Sequence, residues 1–146
     1  SHMKTLSIRQ PWAEMIRSGQ KTIELRTWKT YYRGDLLICS GQNPSEFLKL
    51  QRSKTHPILG TWCQARERSD REWENYYHFG QALFIAELWK VDSFTYAHET
   101  ASMCDYDPGY FSWHLRHIRE IKRFPLKGQL RLFDTPDNLI KEIKKV

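Results

Sequence analysis

The 146-residue sequence predicts an α+β fold, a small mixed β-barrel with helices packed around it. Three observations lead there. Several short runs alternate apolar and polar residues between Gly, Pro, Asn or Asp punctuation, as half-buried strands do. One run, ALFIAELWKV from Ala82, is apolar almost throughout and should cross the middle of a barrel. The helical stretches are short and carry ordinary start and stop residues.

Taken in order, residues 4–9 alternate as a first strand. Pro11 suits the first position of a helix whose face is Trp12, Met15 and Ile16 and whose stop is Gly19. Residues 21–28 and 35–40 read as the second and third strands, joined by a polar turn that ends in Arg33-Gly34. Asn43-Pro44-Ser45 caps a short helix over 46–52. Residues 69–79 read as an exposed helix, with Arg66/Asp70 and Glu67/Arg71 spaced for i,i+4 pairs. The central strand covers 81–91, residues 96–102 make one or two helical turns, and 105–109 is a loop. Residues 111–116, 118–124 and 130–134 are the last strands. Thr135-Pro136-Asp137 opens a terminal helix with Leu139, Ile140 and Ile143 on one face and Lys141, Lys144 and Lys145 outside it. No internal repeat, low-complexity segment or linker is visible, so residues 4–146 read as one domain. Ser1-His2-Met3 has the form of a cloning scar.

No apolar run approaches the roughly 20 residues that a membrane span needs. Cys39, Cys63 and Cys104 are odd in number and widely spaced, with no C-x-x-C pair, which points to a reducing cytoplasm and away from disulfides or a zinc knuckle. His114 and His117 fall on opposite faces of an extended strand, so no metal site is expected; no organic cofactor is expected either. Lys plus Arg number 23 against 17 Asp plus Glu. The excess concentrates between His114 and Arg131, where Arg116, Arg119, Lys122, Arg123, Lys127 and Arg131 face one acid, Glu120, with Phe111, Trp113 and Phe124 nearby. A basic stripe with rings beside it suits phosphate contacts and base stacking. A solubility role would leave the same composition.

The densest chemistry lies in residues 19–26, GQKTIELR, a G-x-K-x-x-E-x-R pattern. On an extended chain Thr22, Glu24, Arg26 and Trp28 share one face, while Lys21, Ile23, Leu25 and Thr27 share the other. Ile23 and Leu25 should face the core. Glu24, Arg26 and Trp28 then point together into a groove for a flat polar ligand such as a nucleobase, or into solvent as an edge strand. Lys21 enters the strand beside Gly19. It reads as a base or nucleophile, a phosphate anchor or a surface lysine. Glu24 could bond a base edge, hold Lys21 or pair with Arg26. Trp12, Trp28 and Trp113 are stacking or core residues. Ser40 and Ser112 lie at strand ends from which a hydroxyl could reach a cleft. Glu87, inside the apolar strand, faces either outward or into the cleft.

These residues carry a resemblance. The octet resembles the signature of ASCH domains (activating signal cointegrator homology), members of the PUA-like superfamily. LSIRQPWAEMIRSGQK from Leu6 is similar to the family's opening strand, Q-P-W turn and first helix. YRGDLLICSG from Tyr32 is similar to its R-G strand, and Phe111–Leu115 with FPLKGQLRLFD from Phe124 to its closing blocks. Residues 45–80 match least and look like an insertion. The resemblance implies a PUA-like barrel with a ligand cleft between barrel and helices, in which the signature lysine, here Lys21, has a pocket role. It implies binding of RNA, single-stranded nucleic acid or a modified nucleoside; the chain itself is expected to be a monomer. Ligand contacts would come from Trp12, Lys21, Glu24, Arg26, Trp28, Ser40, Ser112 and Trp113, with Arg116, Arg119, Lys122 and Arg123 on the phosphate backbone. A second implied class is a metal-independent hydrolase, either a ribonuclease or an N4-acetylcytidine amidohydrolase, with Lys21 and Glu24 as catalytic residues. In the amidohydrolase branch a threonine stands three residues after the lysine, where this chain has Glu24, and Glu87 is the counterpart available for a later glutamate.

Overall fold

The computed structural model describes residues 1–42 and 78–144. The helices expected over 46–52 and 69–79 and the charge pairs at 66–71 fall wholly or almost wholly outside these residues. Six strands form one sheet: β1 (His2–Ser7), β2 (Ile23–Arg26), β3 (Gly34–Cys39), β4 (Gln81–Ser93), β5 (Phe111–Pro125) and β6 (Leu132–Pro136). Helix α1 (Trp12–Arg17) follows β1, and a 3₁₀ turn (Tyr96–His98) leads into the four-residue helix α2 (Glu99–Ser102). The strand order is β2-β5-β4-β3-β1-β6. The β1–β3 pair is parallel and the other pairs are antiparallel.

The apolar runs of β3 and β4 are continuous because both faces of the sheet are covered there. Leu36, Ile38, Phe84, Ala86 and Leu88 join Leu6, Ile8, Ala13, Ile16, Trp113 and Leu115 in the larger core. Leu37 and Ile85 point the other way, into a smaller cluster with Ala82 and Ile121. In α1, Met15 and Ile16 are buried while Trp12 is only half-buried. The Glu14 N–H in its first turn donates to Gln10 Oε1 at 3.0 Å. That bond satisfies one of the donors a helix start leaves open.

Three expectations need correction. The strands expected over 111–116 and 118–124 are one 15-residue strand. The break between them is a bulge at His117, with φ 52°, where the β4–β5 register shifts. No terminal helix forms among the described residues: beyond a 3₁₀ turn at Asp137–Leu139 the backbone is extended at Ile140, and Ile121 bridges Glu142. Lys122 N–H donates to the Lys141 carbonyl at 2.8 Å and Ile143 N–H to the Glu120 carbonyl at 2.9 Å. The reason is an open edge. β2 covers only Phe111–His114 of β5, and the remainder of that edge offers unpaired backbone groups that the chain end satisfies. Ile140 is half-buried, whereas Leu139 and Ile143 remain exposed.

Third, the expected barrel is not closed. β2 and β6 end the sheet, and no strand ladder among the described residues joins them. Side chains span the seam instead. Arg26 Nη2 donates to the Ser7 carbonyl on β1 at 2.9 Å, and the Arg131 guanidinium lies 5.0 Å from the Trp28 ring centre. Glu24 and Arg26 occupy the place where a closing ladder would run, and covering them with a strand would strip water from both charges. His2 and Met3 pair with Pro136 and Thr135 in the β1–β6 ladder, so the strand starts earlier than residue 4.

Candidate functional site

The seam is also the cleft. A cavity of about 530 Å³ opens there, within the range of small-ligand sites. β2 supplies Glu24, Leu25 and Arg26 to its lining, with Lys21 and Thr27-Trp28 on either side. The opposite bank is Ser7, Arg9 and Trp12, and the rim is Gln129, Leu130 and Arg131.

Glu24 is the centre of this constellation. Its Oε2 accepts from Arg26 Nη2 at 2.8 Å and Nε at 3.2 Å, and its Oε1 lies 3.7 Å from Lys21 Nζ. Lys21 is 2% exposed and Glu24 8%, so both sit at the floor rather than the rim. Lys21 Nζ also donates to the Ser102 carbonyl at 2.6 Å and lies 5.3 Å from the Trp12 ring centre. A carbonyl, a carboxylate and a π face are the partners of an ammonium. The Thr22 N–H donates to the Ala101 carbonyl at 2.9 Å. Lys21 and Thr22 thus satisfy two carbonyls that the end of α2 leaves open, which locks the start of β2 onto that helix. Gly19, at φ +85°, makes the turn that brings Lys21 there.

Trp12 and Trp28 stand on the two banks. Trp113 is fully buried behind Trp28, edge-on at 4.7 Å, and its Nε1–H donates to the Trp28 carbonyl at 3.2 Å. It therefore props a wall without being one. Among the described lining residues Arg9, Lys21, Arg26 and Arg131 are basic and Glu24 is the one carboxylate, so Glu24 is the fixed acceptor there. Cys104 borders it, and burial pushes its thiol up despite the nearby Lys21, which makes it a poor thiolate nucleophile.

The structure brings together Trp12, Lys21, Glu24, Arg26 and Trp28 and leaves Ser40, Ser112 and Trp113 out of the cleft lining. Ser40 Oγ donates to the His78 carbonyl at 2.6 Å, and Ser112 Oγ bonds His98 Nδ1 at 2.9 Å. Leu25 was expected in the core but is half-buried at the cleft, because an edge strand has sheet on only one side. Glu87 faces outward, where it pairs with Arg116 at 3.1 Å and His117 at 3.0 Å. Arg119 is held by Asp35 at 2.6 Å and Glu142 at 2.9 Å. Lys122 is exposed and Arg123 half-buried.

Sequence reasoning missed Ser7, Arg9, Tyr110 and Gln129–Arg131 as cleft residues. The adjoining Q-P-W turn and the closing block from Phe124 were the signal that could have found the two banks. It also missed a group on another face. Asp92, His98 and His114 each offer a ligand atom, all within 4.8 Å of one another. The His114/His117 spacing gives no sign of it, since His98 comes from a separate turn and Asp92 from the neighbouring strand.

Comparison with known proteins agrees with the residue-level reading. The family model of the ASCH domain matches residues 6–124. Activating signal cointegrator 1 of Mus musculus is 26% identical over 145 residues, which is 96% of this chain and 23% of that protein. The Homo sapiens protein of the same name is 26% identical over 147 residues, again 96% of this chain and 23% of its own length. The chain thus spans about a quarter of the length of these relatives. A crystal structure of a mutant ZmASCH protein from Zymomonas mobilis aligns with TM-score 0.47 and 11% identity, over 85% of this chain and 76% of that one. The match over most of its length shows that the chain belongs to the ASCH domain family.

Proposed function

We propose that this chain binds single-stranded nucleic acid, RNA before DNA, or a modified nucleoside, by taking one unstacked base into the seam. The observation that carries the reading is the Glu24 carboxylate, fixed between Lys21 and Arg26 on the floor of a cleft with Trp12 and Trp28 on its banks. A carboxylate accepts from the N–H groups of a base edge, and indole walls stack on either face of a base. Arg9 and Arg131 at the mouth, with Lys122 and Arg123 on β5, supply phosphate contacts. Arg116 and Arg119 contribute less, because each must first leave a carboxylate. The domain acts as a monomer in the cytoplasm.

The test is a binding and turnover screen of single-stranded RNA, single-stranded DNA and modified nucleosides, with Trp28→Ala and Glu24→Gln alongside. Saturable binding weakened in both variants is expected. Binding that both variants retain would reject the seam.

The hydrolase reading draws on one observation, the buried Lys21–Glu24 contact at 3.7 Å. In that role Lys21 would act as a charged stabiliser of a developing oxyanion, since its partners are those of an ammonium. Lys21→Arg then keeps turnover that Lys21→Ala loses. Glu87 takes no part in this reading, because it lies outside the cleft.

A further inference from the structure

We propose that Asp92, His98 and His114 form a binding site for a divalent transition-metal ion of the zinc class, on the face of β5 opposite the cleft. The placement follows from strand register. Asp92 on β4 stands opposite Ser112 on β5, and Lys90 opposite His114. Directly opposed residues share a face, and so do residues two apart, so Asp92, Ser112 and His114 project together. Glu24 and Trp113 are partners in the β2–β5 ladder and take the other face. The 3₁₀ turn Tyr96–His98 then delivers His98 from above.

Distances suit a compact ligand set. His114 Nε2 is 2.7 Å from Asp92 Oδ1, and all three ligand atoms lie within 4.8 Å of one another. Around a tetrahedral ion with bonds of roughly 2.0–2.2 Å, ligand atoms stand about 3.3–3.6 Å apart. Small side-chain rotations convert one arrangement into the other. Two imidazoles and a carboxylate form a borderline donor set, which favours zinc, cobalt, nickel or iron(II) over calcium or magnesium.

The surroundings hold these groups in place. Ser112 Oγ bonds His98 Nδ1 at 2.9 Å, and Phe94 stacks on the same ring at 6.4 Å. Trp89 meets His114 edge-on at 5.3 Å. Such outer partners orient ligating imidazoles. Lys90 sits 3.4 Å from Asp92 Oδ2, which leaves Oδ1 for the ion. Asp92 is 35% exposed, so water can complete the coordination. Without an ion the same residues form a hydrogen-bonded patch that pins the 3₁₀ turn to the sheet.

The test uses the whole chain freed of metal with a chelator. Cobalt(II) is titrated in and its visible d–d bands are followed, then zinc(II) is added in competition. One saturable equivalent with the strong bands of a four- or five-coordinate site is expected. His98→Ala, His114→Ala and Asp92→Asn should each weaken it by about tenfold or more. His117→Ala and His2→Ala should leave it unchanged. Absence of a saturable site, affinity indifferent to His98→Ala, or loss in His2→Ala would overturn the proposal. As a check that needs no variant, zinc(II) should protect His98 and His114, and not His117, from acylation by diethyl pyrocarbonate. Equal labelling with and without zinc(II) would overturn it as well.

Discussion

Glu24 and Glu87 are each bracketed by two basic residues, yet they do opposite work. Glu24 sits in the seam between Lys21 and Arg26 with its side chain 10% exposed. Glu87 sits on the outer face of β4 between Arg116 and His117, 26% exposed beside partners that are 48% and 67% exposed. Water screens the second group and little reaches the first. The lesson is that a charge pattern becomes a site only where the fold withholds solvent from it. Here the withheld place is the gap that an unclosed barrel leaves between β2 and β1–β6.

The largest effect should come from breaking the buried member of this comparison. Glu24→Ala strands two cations in the seam and should cost on the order of 3 kcal/mol of stability by denaturant unfolding. Glu87→Ala should leave the unfolding midpoint almost unmoved. A matching loss in both would show that the seam is as wet as the outer face.

Next come the rings. Trp28→Ala should weaken binding of a single-stranded oligonucleotide by about 1–3 kcal/mol, the usual worth of one stacked base. Trp89→Ala, whose indole lies 5.0 Å from Arg116 on the outer face, should change affinity little. The reverse order in fluorescence-anisotropy titrations would move the site to the outer face.

Salt sharpens the same contrast. Each neutralised phosphate adds about 0.7 to the slope of log affinity against log salt on single strands. The two mouth arginines with Lys122 and Arg123, four contacts in all, should give a slope of about 2.8, and Arg116 and Arg119 leaving their carboxylates to join them would raise it to about 4.2.

The smallest effect is alkaline. Burial pushes the Cys39 thiol up to about 11, whereas an unfolded cysteine titrates near 8.5. The stability from keeping Cys39 neutral is therefore complete below about pH 8.5 and is lost as pH rises toward 11. Cys39→Ala should flatten that decline in pH-dependent melting. Half-buried Cys104, at the cleft, should alkylate before Cys39 in the native protein.

Much of the fold could be read along the chain. The strands read over 35–40 and 81–91, found at Gly34–Cys39 and Gln81–Ser93, the turns at 96–102 and the buried Met15 and Ile16 all follow from local periodicity and punctuation. So did the grouping of Glu24, Arg26 and Trp28. The terminal helix was misread because Leu139, Ile140 and Ile143 have helical spacing, while the decisive fact, an unpaired β5 edge, lies twenty residues away. The division at His117 was misread because a bulge and a strand end share the same local signature.

What the sequence determined by itself was composition, element order and the residues available to a site, all matters of local spacing. Solvent exclusion was decided only in three dimensions. Lys21 is buried because α2 offers it a carbonyl, Arg116 is engaged because Glu87 stands across the β4–β5 ladder, and Asp92, His98 and His114 meet because a turn folds back over two strands. Each of these outcomes depends on contacts between residues far apart in the chain. Their energies are set by how much water the assembled neighbours leave behind, and no single segment carries that quantity.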